Sequence, residues 1–524
     1  MESGSIAAPE PSAAPAGSAH GEKGLKSNAI GYVSNVVIGV ASTAPGYSLA
    51  AVLGLIVAVP GIGVHAPAVL MLSFVPMLLV ALAYKYLNKA EPDAGTTFAW
   101  ATRAFGPKTG WIGGWAIIVA DIIVMANLAE IAGRYSFLLF GASDPSVLAV
   151  TAIGVLWIAI MTVVCVIGIE VNARTQRWLL TAEIVTLAAF AVVALVRVFA
   201  GTAGPGAIDP TLDWFSPFAV PSTGAMTAGL LIGVFISWGW DSLVTVNEET
   251  GNAETTPGKA AVMSTLILVG IYVIVATAAI AFGGVEQLAG DQSGDVLGVL
   301  AAQVFGSSLL GKIVIVAVLT SAAASTQTTI LPTSRTALSM ARAKAAPAAL
   351  ARIHGRYLTP HVATWIMGGL SIAWYIGLTA ISQNILYDSI AALGLMIAFY
   401  YGLTGLACAW YFRRTLTTSV RRFLLVGVAP LLGGLTLLWV FVRSCIDLGR
   451  ADAGSTTLFG IGSPLVIGLG FLLMGVVLML IWRLAGHREF FARRPEAAVR
   501  ESVEADAVPT LAEVAEREPA LAAA

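Results

Sequence analysis

Ser42-Thr43-Ala44-Pro45-Gly46-Tyr47-Ser48 interrupts an apolar run that extends from residue 33 to residue 58. Pro45 lacks the N–H that a helix needs and clashes with the preceding turn, while Gly46 tolerates backbone angles other residues avoid. A run of this length crosses a hydrocarbon core of about 30 Å. Inside such a core every backbone polar group needs a partner, so unwound backbone is tolerated only where it lines a cavity within protein. A second break, Ser237-Trp238-Gly239-Trp240-Asp241-Ser242, falls at a similar depth in the apolar run 226–247.

The rest of the chain sets these two breaks in a polytopic helical membrane protein. Of the 524 residues, 57% are hydrophobic and 11% charged, with a mean hydropathy of +0.84. Soluble domains carry about 25% charged residues, so too little charge is present to coat a water-soluble surface. The net charge of −1 and the lack of a basic tract give no footing for nucleic acid. Twelve spans are expected, over 33–58, 66–87, 111–139, 147–169, 177–200, 226–247, 260–283, 309–332, 362–382, 385–412, 422–443 and 460–484.

With the amino terminus placed inside, all but five of the 29 Lys and Arg fall on the inner side. The exceptions are Arg134, Arg197, Lys312, Arg443 and Arg450. That asymmetry is what the positive-inside bias requires, and it puts both termini in the cytoplasm. Residues 1–28, rich in Ala, Pro, Ser and Gly, read as a disordered cytoplasmic tail, and residues 486–524 as a second tail. The membrane domain is then 29–485.

The breaks lie in spans one and six. Paired broken spans in corresponding places of two halves mark a transporter binding site, and an odd number of spans per half makes the second half inverted. The bland alternative is a pair of harmless kinks. Other classes find little support. Cys165, Cys408 and Cys445 show no metal-ligand or disulfide spacing, and no cofactor motif is present. The histidines His20, His65, His354, His361 and His487 fall in tails, loops or span ends, where an intramembrane enzyme needs them at depth. Gly306–Lys312 reads GSSLLGK, but Ile313 follows where a phosphate-binding loop needs Ser or Thr. No repeated pore loop or charged ring marks a channel.

Three segments carry a family resemblance: STAPGYSLAAVLG (42–54), EPDAGTTFAWATRAFGP (91–107) and WGWDSLVTVNEETGNAETTPGKA (238–260). In order and spacing they resemble the broken first helix, the Pro-Asp-Ala-Gly loop and the sixth helix of the amino acid–polyamine–organocation superfamily, in the manner of its basic amino acid and polyamine permeases. The resemblance implies an all-α fold of twelve helices, an inverted five-plus-five repeat like that of the bacterial leucine transporter, and two further carboxy-terminal helices. It also implies secondary transport of amino acids or related amines. One departure stands out: many such permeases have a Gly-Ser/Ala-Gly run at the first break, whereas Ala44-Pro45-Gly46-Tyr47-Ser48 here removes one donor and adds a bulky ring. That keeps amines and other small organic solutes in play.

The expected solute site comprises Ser42, Thr43, Pro45, Gly46, Tyr47 and Ser48 with Trp238, Gly239, Trp240 and Asp241. The half-helix after Pro45 offers N–H groups from about Gly46 to Leu49 to an anion, and the half-helix ending near Trp238 offers carbonyls to a cation. Trp238 and Trp240 either wall the cavity with cation–π faces or simply pack. Asp241 either caps the second half-helix through the N–H of Leu243 or Val244, or receives a solute ammonium.

For energy coupling, Glu183 in span five is the candidate proton carrier. Proton-coupled proteins that resemble this fold place an ionisable residue, often Lys, near this region, and the span contains no Lys. The alternatives for Glu183 are a salt bridge to Arg177 or snorkelling to the interface. Sodium is the rival ion, with Thr320, Ser321, Ser325 and Thr326 of span eight as hard oxygen ligands, though hydroxyls also bond neighbouring helices. Glu130 and Arg134 are expected to pair near the outer end, Asp121 is a weaker pathway candidate, and Glu248 and Glu249 read as a solvated helix end. The expected function is a proton-coupled symporter of the cytoplasmic membrane working by alternating access. A sodium symporter or an exchanger of the same fold is the alternative, and a channel or sensor on this fold the alternative from another class.

Overall fold

The computed structural model describes residues 23–142, 144–290, 295–451, 453–454 and 456–493. The tails expected at 1–22 and 494–524 lie outside the described residues. Within them the chain is helical apart from a two-residue ladder between β1 (Thr457–Leu458) and β2 (Ile461–Gly462).

The first half runs α1 (Tyr32–Ser42), α2 (Pro45–Ala58), α3 (Ala66–Ala90), α4 (Thr97–Phe105), α5 (Pro107–Leu139), α6 (Val147–Ile167) and α7 (Ile169–Phe199). The second runs α8 (Thr223–Ile236), α9 (Ser242–Thr245), α10 (Thr256–Gly290, kinked at Gly284), α11 (Val296–Phe305), α12 (Ser308–Arg342), α13 (His361–Ile381) and α14 (Gln383–Tyr411). Then α15 (Val420–Arg422) passes through a π-helical turn at Phe423–Val428 into α16 (Ala429–Leu448), and α17 (Ser463–Leu484) ends the bundle.

Spans five apart pack on one another: α3 on α10, α5 on α12 and α6 on α13, as two intertwined halves require. The short helices α4 and α11 occupy the same place in each half, between its second and third spans. Without a hydrophobic drive between helices in lipid, close approach comes from small residues. At the α14–α16 crossing, a side chain on Gly405 would lie 2.8 Å from Cα of Gly434, so bare backbones set that contact. The outer faces are apolar where lipid would lie: Leu473, Val477, Ile481 and Leu484 of α17 are all exposed.

Eleven helices among the described residues are long and apolar enough to cross a membrane. The sixth expected span is not one of them, because α8 stops after 14 residues at Ile236 and the chain continues through short turns. Span eight extends past its expected end at residue 332, since Pro332 is carried inside α12, which reaches Arg342. Of the expected tail, Lys23 and Leu25 pack against the bundle, and just after it Ile30 bridges Thr250 and the Ala29 and Ile30 N–H groups donate to the Glu249 carbonyl. At the other end Phe490 stacks on Phe98.

Candidate functional site

Both interrupted spans unwind, and they do so against each other. Thr43 and Ala44 separate α1 from α2, with Ala44 in the left-handed region at φ 50° and Pro45 opening α2, where its missing N–H costs nothing. Gly239, at φ 110°, turns the chain between α8 and α9. A Cβ on Gly239 would lie 2.7 Å from the Ser42 carbonyl oxygen, so the two breaks touch through backbone at a point only glycine fits. Beside it the Ser42 and Ser242 hydroxyls meet at 2.7 Å.

The helix ends freed by the breaks are satisfied from within the protein. Tyr272 of α10 donates to the Ile236 carbonyl at 2.8 Å, with the Thr43 carbonyl 3.3 Å away. The Thr43 carbonyl also accepts from the Ser48 hydroxyl at 2.9 Å, and the Ser42 carbonyl accepts from Ser325 at 2.9 Å. At the start of α2, Glu183 Oε1 accepts the Gly46 N–H at 2.7 Å and the Ser321 hydroxyl at 2.8 Å, while Ser321 Oγ accepts the Tyr47 N–H at 3.2 Å. Of the N–H groups expected to be open to an anion, that of Gly46 therefore already holds a carboxylate of the chain and that of Tyr47 a hydroxyl. Glu183 is fully buried, pairs with neither Arg177 nor solvent, and keeps Oε2 without a partner.

Of the other span-eight hydroxyls, Thr326 donates to the Ala322 carbonyl and Thr320 to that of Ala317, each a bond within its own helix. Only Ser321 and Ser325 reach the first break.

Asp241 does not cap its own helix with its side chain. The backbone carbonyls of Asp241 and Trp240 receive the Val244 and Leu243 N–H groups instead, at 2.8 and 3.4 Å. The carboxylate turns into a tyrosine cluster. Tyr401 donates to Oδ1 at 2.8 Å, and Tyr400 and Tyr84 approach Oδ2 at 3.2 and 3.4 Å. Trp238 Nε1 donates to Tyr400 Oη. Trp240 is fully buried, its ring 5.2 Å from those of both Tyr84 and Tyr401, with Nε1 unpartnered. The tyrosines were missed by sequence reasoning; the adjacent pair Tyr400-Tyr401 in mid-span was the available signal, since buried hydroxyls in an apolar helix need partners.

A cavity of about 1650 Å³ reaches these breaks from the side bearing Arg134 and Arg443, and Tyr47, Asn127 and Phe235 line it. Of the ten expected solute residues, Tyr47 alone lines this space; the other nine are packed beyond it. On its wall Glu130 pairs with Arg134 at 3.1 Å and accepts from Tyr375 at 2.8 Å. Asp121, in the same helix as Asn127, is buried with Oδ2 unpartnered.

The opposite side is closed by ion pairs. Glu249, expected in solvent, is fully buried and forms a two-point pair with Arg335 at 2.6 and 2.9 Å. Glu248 and Asp93 both hold Lys23, at 2.7 and 2.8 Å, so the segment before α1 ties the α3–α4 loop to the end of the second break. Burial alone would lower the Lys23 pKa, and the two carboxylates reverse this and raise it. Burial pushes Asp93 up, but Lys23 and hydrogen bonds from Ser339 and the Gly95 N–H bring it below its ordinary value. For Glu248 burial outweighs Lys23, and its pKa is raised.

Comparison with known proteins gives a consistent picture. A family model described as "Amino acid permease" matches residues 28–482. An uncharacterized transporter of Mycobacterium tuberculosis is 28% identical over 293 residues, covering 56% of this chain and 62% of its own, so the match spans less than two thirds of that relative. A low-affinity putrescine importer of Escherichia coli is 25% identical, over 39% of this chain and 43% of its own. A branched-chain amino acid permease of Lactococcus lactis is 25% identical, over 69% and 78%.

Proposed function

Because the chain belongs to the amino acid permease family, we propose that it is a secondary active transporter of amino acids or related amines, driven by protons taken up at Glu183. The observation that carries this reading is the carboxylate of Glu183 on the Gly46 N–H at the start of the broken helix.

Ionised, Glu183 accepts two charge-assisted bonds and favours the positive end of the α2 dipole. Protonated, it loses that attraction, and its hold on α2 and on Ser321 of α12 weakens. A proton at this one atom pair thus biases two elements that meet at the solute site, which is the differential interaction a coupled conformational change requires. The solute residues assigned are those of the two breaks: Ser42, Thr43, Pro45, Gly46, Tyr47, Ser48, Trp238, Gly239, Trp240 and Asp241.

The lysine and arginine distribution supports an orientation with the ion-paired face in the cytoplasm and both termini there, in the cytoplasmic membrane. The cavity then faces outward, and alternating access proceeds by opening the Lys23 and Arg335 contacts while the Tyr47 side closes. Sodium is less well served, because the Ser42 carbonyl already receives the Ser325 proton at 2.9 Å and a cation there would have to displace it.

The test is uptake of labelled amino acids and amines into proteoliposomes with either an inward proton gradient or an inward sodium gradient. The proton gradient alone is expected to drive accumulation; accumulation that follows sodium alone overturns the assignment.

A further inference from the structure

We propose that the solute is an amine cation without an adjacent carboxylate, a mono- or diamine rather than an α-amino acid; this rests on the transporter reading above and narrows its substrate class.

The first observation is that the helix start is full. Pro45 has no N–H, Gly46 donates to Glu183, Tyr47 donates to Ser321, and Ser48 donates to the Ala44 carbonyl at 2.8 Å. No donor in this turn remains for a solute carboxylate. Nor is there space: a single added carbon on Gly46 would come within 3.2 Å of Glu183 Oε1 and 3.4 Å of Ser321 Cβ. While Glu183 is ionised, a solute carboxylate brought here would also face its like charge in a medium where such repulsion is poorly screened.

The second observation concerns the acids left in the core. Asp121, Glu183 and Asp241 are all buried, and among the described residues no Lys, Arg or His pairs with any of them. The one arginine buried among the described residues, Arg335, is committed to Glu249. Asp121 Oδ2 and Glu183 Oε2 lack any hydrogen-bond partner. A buried carboxylate without a counter-ion is costly when ionised, and an entering ammonium, like the proton assigned to Glu183, relieves that cost. Asp121 lies six residues along α5 from the cavity-lining Asn127, about 9 Å deeper by helical rise. An ammonium that passes Tyr47 and Asn127 therefore moves toward acids, beside the rings of Trp238, Tyr400 and Tyr401.

The experiment compares matched pairs that differ only by the carboxylate: putrescine against ornithine, cadaverine against lysine, and 3-methylbutylamine against leucine. Thermal stabilisation of the purified full chain and counterflow in proteoliposomes are read for each pair. In at least one pair the amine is expected to act at a tenfold or more lower concentration than its amino acid, and in Glu183→Gln that ratio is expected to fall at least threefold. Amino acids that match or outdo their amines in every pair overturn the inference and leave the transporter reading standing. No stabilisation and no counterflow by any of the six solutes overturns both. An unchanged ratio in a folded Glu183→Gln protein overturns the role given to the Glu183 charge at the helix start.

Discussion

The hydroxyls of Ser42 and Ser242, 200 residues apart in the chain, meet at 2.7 Å where the two broken spans cross. Beside them the Ser42 carbonyl leaves no room for a side chain on Gly239. The crossing thus carries a hydroxyl hydrogen bond beside a backbone contact, and both can be tested.

Gly239→Ala places a methyl 2.7 Å from the Ser42 oxygen at a φ of 110°. Strain of this kind costs on the order of 1–3 kcal/mol. The expected outcome is a protein that inserts but melts lower in detergent and loses uptake. Ser242→Ala, by contrast, costs about 1 kcal/mol and spares the crossing. Melting curves and uptake of the two variants, measured side by side, check the order.

Tyr401→Phe removes the donor 2.8 Å from Asp241 Oδ1 and leaves Tyr400 and Tyr84 on Oδ2. A hydrogen bond to a charged group is worth about 1.5–3 kcal/mol, so a solute that reads Asp241 should bind about 10- to 100-fold differently. The check is the half-saturating solute concentration in counterflow. Tyr84→Phe, at 3.4 Å, should have the smaller effect.

The ion cluster at the closed face gives a pH prediction. Asp93 titrates below its ordinary 3.8 in the folded protein, so its stabilisation is present above 3.8 and is lost as pH falls through the folded value. Lys23 titrates above 10.5, so its contribution is present below 10.5 and is lost as pH rises through the folded value. Glu248 is shifted upward by burial, so ionising it works against folding. Near neutral pH, Asp93→Asn should therefore lower the melting temperature more than Glu248→Gln. The gap should narrow as Glu248 takes up its proton and close only as pH falls below 3.8 through the folded value of Asp93, which melting across a pH series measures.

The fold was legible where the signal is local. Pro45-Gly46 and Gly239 announce unwound backbone from their own covalent chemistry, and the long apolar runs announce eleven of the spans. What escaped was whatever depends on a distant partner. Glu248 and Glu249 read as solvated because nothing nearby in sequence shows Lys23 or Arg335 arriving from other elements. Asp241 looked like a helix cap because the tyrosines that claim its carboxylate sit some 160 residues on, at Tyr400 and Tyr401. Span eight was expected to end at residue 332, yet α12 runs on to Arg342, with Leu331, Thr333, Ser334 and Arg335 all buried. Glu183 stood out as an acid inside span five, while its position on the Gly46 N–H follows only from the packing of α7 against α1 and α12.

The central claim is that protonation of Glu183 couples the ion gradient to the broken helix. It is tested most directly by Glu183→Gln in proteoliposomes, with gradient-driven uptake and gradient-free counterflow measured on the same preparation. Glutamine keeps an acceptor for the Gly46 N–H but cannot exchange a proton. The account predicts that accumulation driven by an inward proton gradient is lost while counterflow survives. Accumulation at the wild-type level in Glu183→Gln would contradict it.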